Sequence, residues 1–467
     1  MAPSRPGDGQ VDGSFRDLAG YVFQRHGTVY RQVTPAGIDA YRALHLSGGY
    51  DALVADGLLV SHEHIEDTAD GGAIIRPEQI PMISYPFEWS ISMLRDASLV
   101  TLRAQQVALR HGLSLKDASA FNVQFLRGRP VLIDTLSFEP RPSGPWWAYR
   151  QFCQHFLAPL QLAAARGPEM LRLATVWIDG IPLAMASHLL PARSWLRPAS
   201  LFHVHLHAAA EQKWASRTSS PARLADNRPT PAGPTASSPA LEALTDSLLR
   251  AVSAIRVGGG SHWARYYAAG ESYTPDTFGQ KATVVSGWLE QLRPARVWDL
   301  GANTGAFSKA AAQAGALAVA LEADHACVDA LYRETRASSL AGVLPLVFDL
   351  TTPSPAIGWG NRERMTLEQR GPVDLVLALA VMHHLTIANN VPFDALAGYL
   401  ARLAPRLIIE FVPKTDPMVV RMLATRDDIF PDYTLEAFEH AMGQWFQVDQ
   451  KTPLDGSGRV LYLLTRQ

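Results

Sequence analysis

From about residue 290 onward, short apolar runs alternate with stretches of helical period, the signature of a doubly wound sheet. Arg296 to Leu300 reads as a first strand, Gly305 to Gln313 as an alanine-rich helix, Leu317 to Leu321 as a second strand and Asp324 to Glu334 as a second helix. Val343 to Phe348, Val373 to Ala380 and Arg406 to Phe411 give three further strands, with a helix over Pro392 to Leu403. The chain then closes differently: Trp445 to Val448 and Arg459 to Leu464 flank Asp455-Gly456-Ser457-Gly458, which predicts a hairpin. Upstream, Leu241, Leu244, Leu248, Leu249 and Val252 repeat at helical spacing. Ser216 to Pro239 is rich in Ser and Pro and poor in apolar residues, so it reads as a linker. The expected organisation is an α+β N-terminal domain over 14–215, a flexible linker over 216–240, and an α/β domain over 241–467 with a Rossmann-like seven-stranded sheet.

Composition narrows the partners. At 467 residues the chain exceeds what one core usually serves. A formal charge of -2 provides no global field for nucleic acid, which would need a local basic patch and is not expected as a partner. The two cysteines, Cys153 and Cys327, are far apart and suggest neither a disulfide framework nor a metal site. The polar N-terminus does not resemble a signal peptide, and the longest apolar candidate, Val176 to Leu190, is broken by Asp179, Gly180 and Pro182. The expectation is therefore a cytoplasmic protein with no membrane partner.

Candidate chemistry centres on the loop Asp299-Leu300-Gly301-Ala302-Asn303-Thr304-Gly305, at the first strand-to-helix turn. In doubly wound folds ligands lie at the carboxyl ends of the strands, where glycine permits close backbone approach and a helix start presents free amides. Asp299 is placed to take the amino-acid part of a cofactor, with Asn303 in the same turn. Glu322 ends the second strand, where a carboxylate can take ribose hydroxyls; a surface carboxylate is the alternative. Asp349 ends the third strand, where an acceptor meets an adenine amino group while Phe348 or Leu350 packs on the ring; a turn Asp is the alternative there. The glycine pattern Gly-x-x-x-Gly departs from the Gly-x-Gly-x-x-Gly of nicotinamide enzymes. Together with the closing hairpin it resembles class I methyltransferases, which implies S-adenosyl-L-methionine as cofactor. The run Asp374 to Leu385 resembles the fourth strand and exit loop of small-molecule methyltransferases. It adds Ala380 to the cofactor set and puts His383 and His384 where donor methyl and acceptor would meet, as proton-transfer or packing residues. Tyr273 and Lys281 lie before the first strand in a segment that lids the cofactor in many such enzymes, though helix packing explains them as well.

A broader resemblance rests on the loop with Ser354-Pro-Ala-Ile-Gly-Trp359, His383-His384-Leu385, Ile409-Glu410-Phe-Val-Pro-Lys414 and Arg426-Asp-Asp-Ile-Phe-Pro-Asp-Tyr433. Tyr85-Pro-Phe-Glu-Trp89 and Leu115-Lys-Asp-Ala-Ser-Ala-Phe-Asn122 extend it into the N-terminal half. The chain resembles the bacterial nodulation protein NoeA-like family, described as methyltransferase-like, which implies methyl transfer to a small-molecule or carrier-bound acceptor. Asp117, Asn122 and Asp134 also have the spacing of kinase-like phosphotransferases, with a hairpin over Gln124 to Leu132 between them. No Gly-rich phosphate loop precedes them, and no lysine comes before Lys116. A structural hairpin with Asx turns reads the same residues without chemistry. His203-Val-His205-Leu-His207 and His62-Glu-His64 would align imidazoles along strand faces, more as packed clusters than as metal sites.

Overall fold

The computed structural model describes residues 9–141, 144–218, 238–256, 274–424 and 426–467. These fall into two units. One holds the described residues of Gly259–Pro355 and Met365–Gln467, the other those of Pro6–Gly258 and Ala356–Arg364.

In the C-terminal unit the strands Arg296–Leu300, Leu317–Glu322, Val343–Val347, Leu375–Ala378 and Arg406–Phe411 run parallel. Phe446–Pro453 and Val460–Arg466 close the sheet as an antiparallel pair against Arg406–Phe411. Numbered along the chain, the order across the sheet is 3-2-1-4-5-7-6. Helices cover the sheet, and strands such as Val343–Val347 and Leu375–Ala378 are buried at every position. Val297, Leu375, Leu377, Ile408 and Leu461 from the sheet pack with Val285 and Leu289 of the helix Pro275–Leu292 and with Phe307 of Ala306–Gln313. Thr274 caps the first of those helices, its hydroxyl accepting from the Thr277 amide. The chain order reverses beside the first strand, which pairs with the second on one side and the fourth on the other. Ligand clefts of such sheets open at that switch point.

Two boundaries differ from expectation. The fourth strand is shorter than Val373 to Ala380, because the Asp374 carboxylate turns to accept from the Arg296 amide (2.8 Å) and Ala380 leaves the sheet at φ 54°. The closing strands are longer than predicted, because cross-strand pairing carries polar positions such as Gln447 and Lys451 that hydrophobicity alone does not mark.

The N-terminal unit is α+β. Its five-stranded sheet runs Gly9–Gln10, Gly20–Arg25, Thr28–Val33, Ala73–Pro77, His62–Asp67, with antiparallel neighbours throughout. The buried helix Ile91–Arg110 leads to the hairpin Val123–Leu126 and Arg129–Leu132, turned by Arg127 and Gly128 at positive φ. The helix Ser238–Ser253 belongs to this unit: Asp246 accepts from Gln106 (2.8 Å) and Ser247 meets the His203 ring (3.1 Å). The compact C-terminal unit therefore starts after that helix and not at residue 241, since the helix buries Leu241, Leu248 and Val252. Residues 219–237 of the expected linker lie outside the described residues.

The same unit takes in Ala356–Arg364, from the connection between the third and fourth C-terminal strands. Glu363 accepts from Arg16 at Nε and Nη2 (2.8 and 2.7 Å) and from the Trp359 amide, while Arg364 stacks on Phe121 at 4.3 Å. His203, His205 and His207 are helical and not on a strand, because the segment continues a π-turn, Leu201–His205, into Leu206–Thr218. His203 is held by Tyr149 (2.8 Å) and Ser247 (3.1 Å), and His205 by Ser187 (2.7 Å) and Ser194 (2.8 Å), which accounts for both rings as packed residues.

Candidate active site

The loop after the first strand folds back on the second. The Gly301 and Ala302 amides donate to the Leu321 carbonyl (2.8 and 3.2 Å), and the Gly305 amide closes the turn on Ala302 (2.8 Å). Gly301 sits at φ 70°, and a Cβ there would come within 2.8 Å of Val381. Gly305, at φ 74°, would drive a Cβ to 2.5 Å from Leu331, so what it serves directly is helix-on-helix packing. Asn303 also adopts the left-handed region (φ 51°), which its short amide tolerates, and its side chain accepts from the Thr304 amide.

Glu322 is fastened from two sides. Its Oε2 accepts from the Asn303 amide and its Oε1 from the Asp324 amide, both at 2.8 Å. Each carboxylate oxygen keeps a lone pair free for a further donor. Burial pushes the carboxyl upward in pKa, and the two amides oppose that push. Glu322, Gly301, Asn303, Phe348, Asp349, Leu350, Ala380 and His384 line one cleft of about 350 Å³. Ala323, Thr351, Leu379, Val381, Leu385 and Asn389 complete it. Asp349 is oriented by Thr351, whose amide and hydroxyl donate to Oδ1 (2.8 and 2.6 Å). A second, apolar chamber of about 140 Å³ shares Leu350, Val381 and Leu385 with this cleft and reaches Tyr399 and Leu400.

Asp299 lies beneath the loop, 2% exposed, and accepts from the Ser308 hydroxyl at 2.6 Å. Burial pushes its carboxyl up to about 6, against the pull of Ser308 and Lys281. Lys281 is not a rim residue. Its Nζ lies 2.6 Å from Glu410 Oε2 with both side chains fully buried. Arg459 continues the chain of charges, with Nη1 3.2 Å from Glu410 and Nε 2.8 Å from Asp416. Burial lowers the Lys281 ammonium, and Glu410 partly restores it. Tyr273 lies outside the described residues.

The two histidines separate. His384 lines the cleft at the start of a π-turn, His384–Ala388. His383 is fully buried behind it, ring centroids 4.2 Å apart, and neither of its nitrogens has a hydrogen-bond partner among the described residues. Burial, and then the Arg459 charge, push His384 down to about 4. His383 is also held well below its ordinary value, first by burial and then by His384. Both rings are neutral near pH 7.

Sequence reasoning missed Val381, Leu385 and Asn389 because they carry no distinctive chemistry; adjacency to His383-His384 was the one available signal. It also missed Arg459, which reads as the first residue of a closing strand and carries no sequence signal of its partners Glu410 and Asp416.

No protein-family model matches the chain. Among solved structures, magnesium protoporphyrin IX methyltransferase from Synechocystis PCC 6803 with bound SAM is 19% identical, with a TM-score of 0.31 over 45% of this chain and 87% of that one. The bifunctional kinase-methyltransferase WbdD is 17% identical, with a TM-score of 0.29 over 40% of this chain and 39% of that one. Scores at that level add nothing to what the strand order already shows. Sequence carries further: nodulation protein NoeA of Rhizobium meliloti (strain 1021) is 36% identical over 479 residues, covering 100% of this chain and 98% of that protein. The chain belongs to the NoeA family.

Proposed function

We propose that the C-terminal unit is an S-adenosylmethionine-dependent methyltransferase acting on a small or carrier-bound metabolite. The observation that carries this reading is the convergence of three strand ends on one cleft: the Gly301 turn, Glu322 held by the Asn303 amide, and Asp349 beside Phe348 and Leu350. The fit can be judged on Gly301, where a Cβ would narrow the cleft against Val381. In this reading Asp299, beneath the loop, would attract the ammonium of the cofactor's amino-acid part, Glu322 would accept from its ribose hydroxyls, and Asp349 would accept from its adenine amino group. When bound, the cofactor supplies a sulfonium methyl.

The protein's part in such a displacement is alignment and, for a hydroxyl or amine acceptor, management of a proton. His384 is the histidine within reach of the cleft. With a proton affinity as low as about 4, it accepts a hydrogen bond and orients the acceptor better than it stores a proton. His383 backs that ring. The test is incubation of the protein and labelled S-adenosylmethionine with a fractionated host extract. Label in the small-molecule or carrier fraction supports the reading; label in bulk RNA or protein, or nowhere, overturns it.

A second reading concerns the N-terminal unit, which would aid acceptor binding or transfer phosphate. What favours phosphotransfer is Arg31 on the strand Thr28–Val33, whose Nη2 lies 2.8 Å from Asp134, supplying a cation near the metal-type Asp where the sequence has no lysine. Against it, Asp117 and Asp134 each accept from the amide two residues on (2.9 and 2.8 Å), the Asx turns that give both a structural role. Magnesium-dependent ATP binding by the full chain, with label from γ-phosphate-labelled ATP passing to an acceptor and both lost in Asp134→Asn, would establish phosphotransfer; no binding leaves an acceptor-binding or regulatory module.

A further inference from the structure

The helical part of the N-terminal unit leaves an apolar face open to solvent. Trp195, Leu196, Phe202 and Leu206 are 48, 87, 60 and 45% exposed. Local contacts gather them. The Trp195 ring stacks on His205 at 4.2 Å and 9°, and Ser194 bonds the same imidazole at 2.8 Å, which pins the turn Ala192–Leu196 against the helical stretch bearing Phe202 and Leu206. Phe202 and Leu206 are four apart and share a side of that stretch. Large apolar side chains grouped in this way mark an interaction surface, whereas a single exposed leucine would not.

Charge identifies the occupant. Arg193 and Arg197 are exposed and flank Trp195-Leu196 in the chain. From Gly180 to Ala210 the sequence has no Asp or Glu, and the next acid, Glu211, is engaged by Arg150 at 2.7 Å. A second copy of this face would set arginines against arginines, a costly like-charge contact. Tryptophan and phenylalanine beside arginine suit the headgroup layer of an anionic bilayer, where rings sit among the glycerol groups and guanidinium groups meet phosphates. Among the described residues no helix is long and apolar enough to cross a membrane, so the contact would be superficial. We propose that this face docks on an anionic lipid surface, which revises the membrane-free expectation from sequence.

The test mixes the full chain with vesicles of phosphatidylcholine alone or with added phosphatidylglycerol and measures co-flotation. The expected result is binding to the phosphatidylglycerol vesicles only, weakened by salt. Arg193→Glu with Arg197→Glu, and separately Phe202→Ser with Leu206→Ser, should each weaken it roughly tenfold or more. Because these side chains are exposed, both variants should keep the wild-type melting temperature. No binding, equal binding to both vesicle types, or unchanged binding by both variants would overturn the proposal. So would sedimentation showing a dimer that Phe202→Ser with Leu206→Ser dissolves, which would give the face to a second copy.

Discussion

Asp299 couples burial to pH. Its folded value of about 6 stands above the ordinary 3.8, so the carboxyl takes up a proton on folding. That contribution to stability is present below about pH 4 and lost as pH rises through about 6. On the proposed reading, binding runs the other way, because only the ionised form would attract a ligand ammonium. S-adenosylhomocysteine should therefore bind roughly tenfold more weakly at pH 5 than at its plateau above pH 7, and titration calorimetry across that range should show the slope vanish in Asp299→Asn. A flat profile in the wild type would separate Asp299 from the cofactor. His384→Gln should lower kcat with little change in cofactor affinity, whereas His383→Gln should act through the packing behind it; equal kcat losses with intact stability would contradict that division. At this scale the sequence showed Gly301, Glu322 and Asp349 because the chemistry of a strand end is local. It could not show that Gly305 faces Leu331, or that only one of two adjacent histidines reaches the cleft, because both depend on the packing of distant elements.

Among elements, the helix Pro275–Leu292 and the closing hairpin are joined by charge as well as by apolar packing. Lys281 from the helix, Glu410 from the fifth strand and Arg459 from the hairpin share one buried network. Removing one partner leaves an uncompensated charge in the core, which costs about 3 to 5 kcal/mol. Lys281→Met should lower stability by that order in urea denaturation, and adding Glu410→Gln should recover part of the loss. Additive losses would mean the two groups do not interact. The parallel strands were legible because covered strands are mostly apolar, and the hairpin because its turn residues are distinctive. Helix Ser238–Ser253 was recognised as a helix, yet its unit was not: an apolar stripe says that a helix packs, not against what.

At the scale of the whole molecule, the segment Ala356–Arg364 leaves the C-terminal sheet in sequence and folds with the N-terminal unit. Glu363 is its anchor, and Arg16 holds the carboxyl below its ordinary range. That contribution is present above the unfolded carboxylate pKa and lost as pH falls through the depressed folded value. Glu363→Gln should destabilise the N-terminal unit near pH 7 and have less effect in acid, as read by thermal unfolding. A ligand of the C-terminal cleft, by contrast, stabilises only the unit that binds it, by about 2.7 kcal/mol at a hundredfold excess over Kd. Two units with separate cores should give two calorimetric transitions, of which S-adenosylhomocysteine raises one. The motif Ser354-Pro-Ala-Ile-Gly-Trp359 was legible in sequence, but the unit its chain joins was not, since Glu363 carries no signal of its partner Arg16.

The most direct test of the account is titration calorimetry of S-adenosylhomocysteine against the full chain, Gly301→Val and Glu322→Ala, with circular dichroism confirming folded samples. Saturable binding to the wild type is expected, weakened beyond detection in Gly301→Val and at least roughly tenfold in Glu322→Ala, where the ribose hydrogen bonds proposed for Glu322 would be lost. Wild-type affinity in both variants, or none in the wild-type chain, would contradict it.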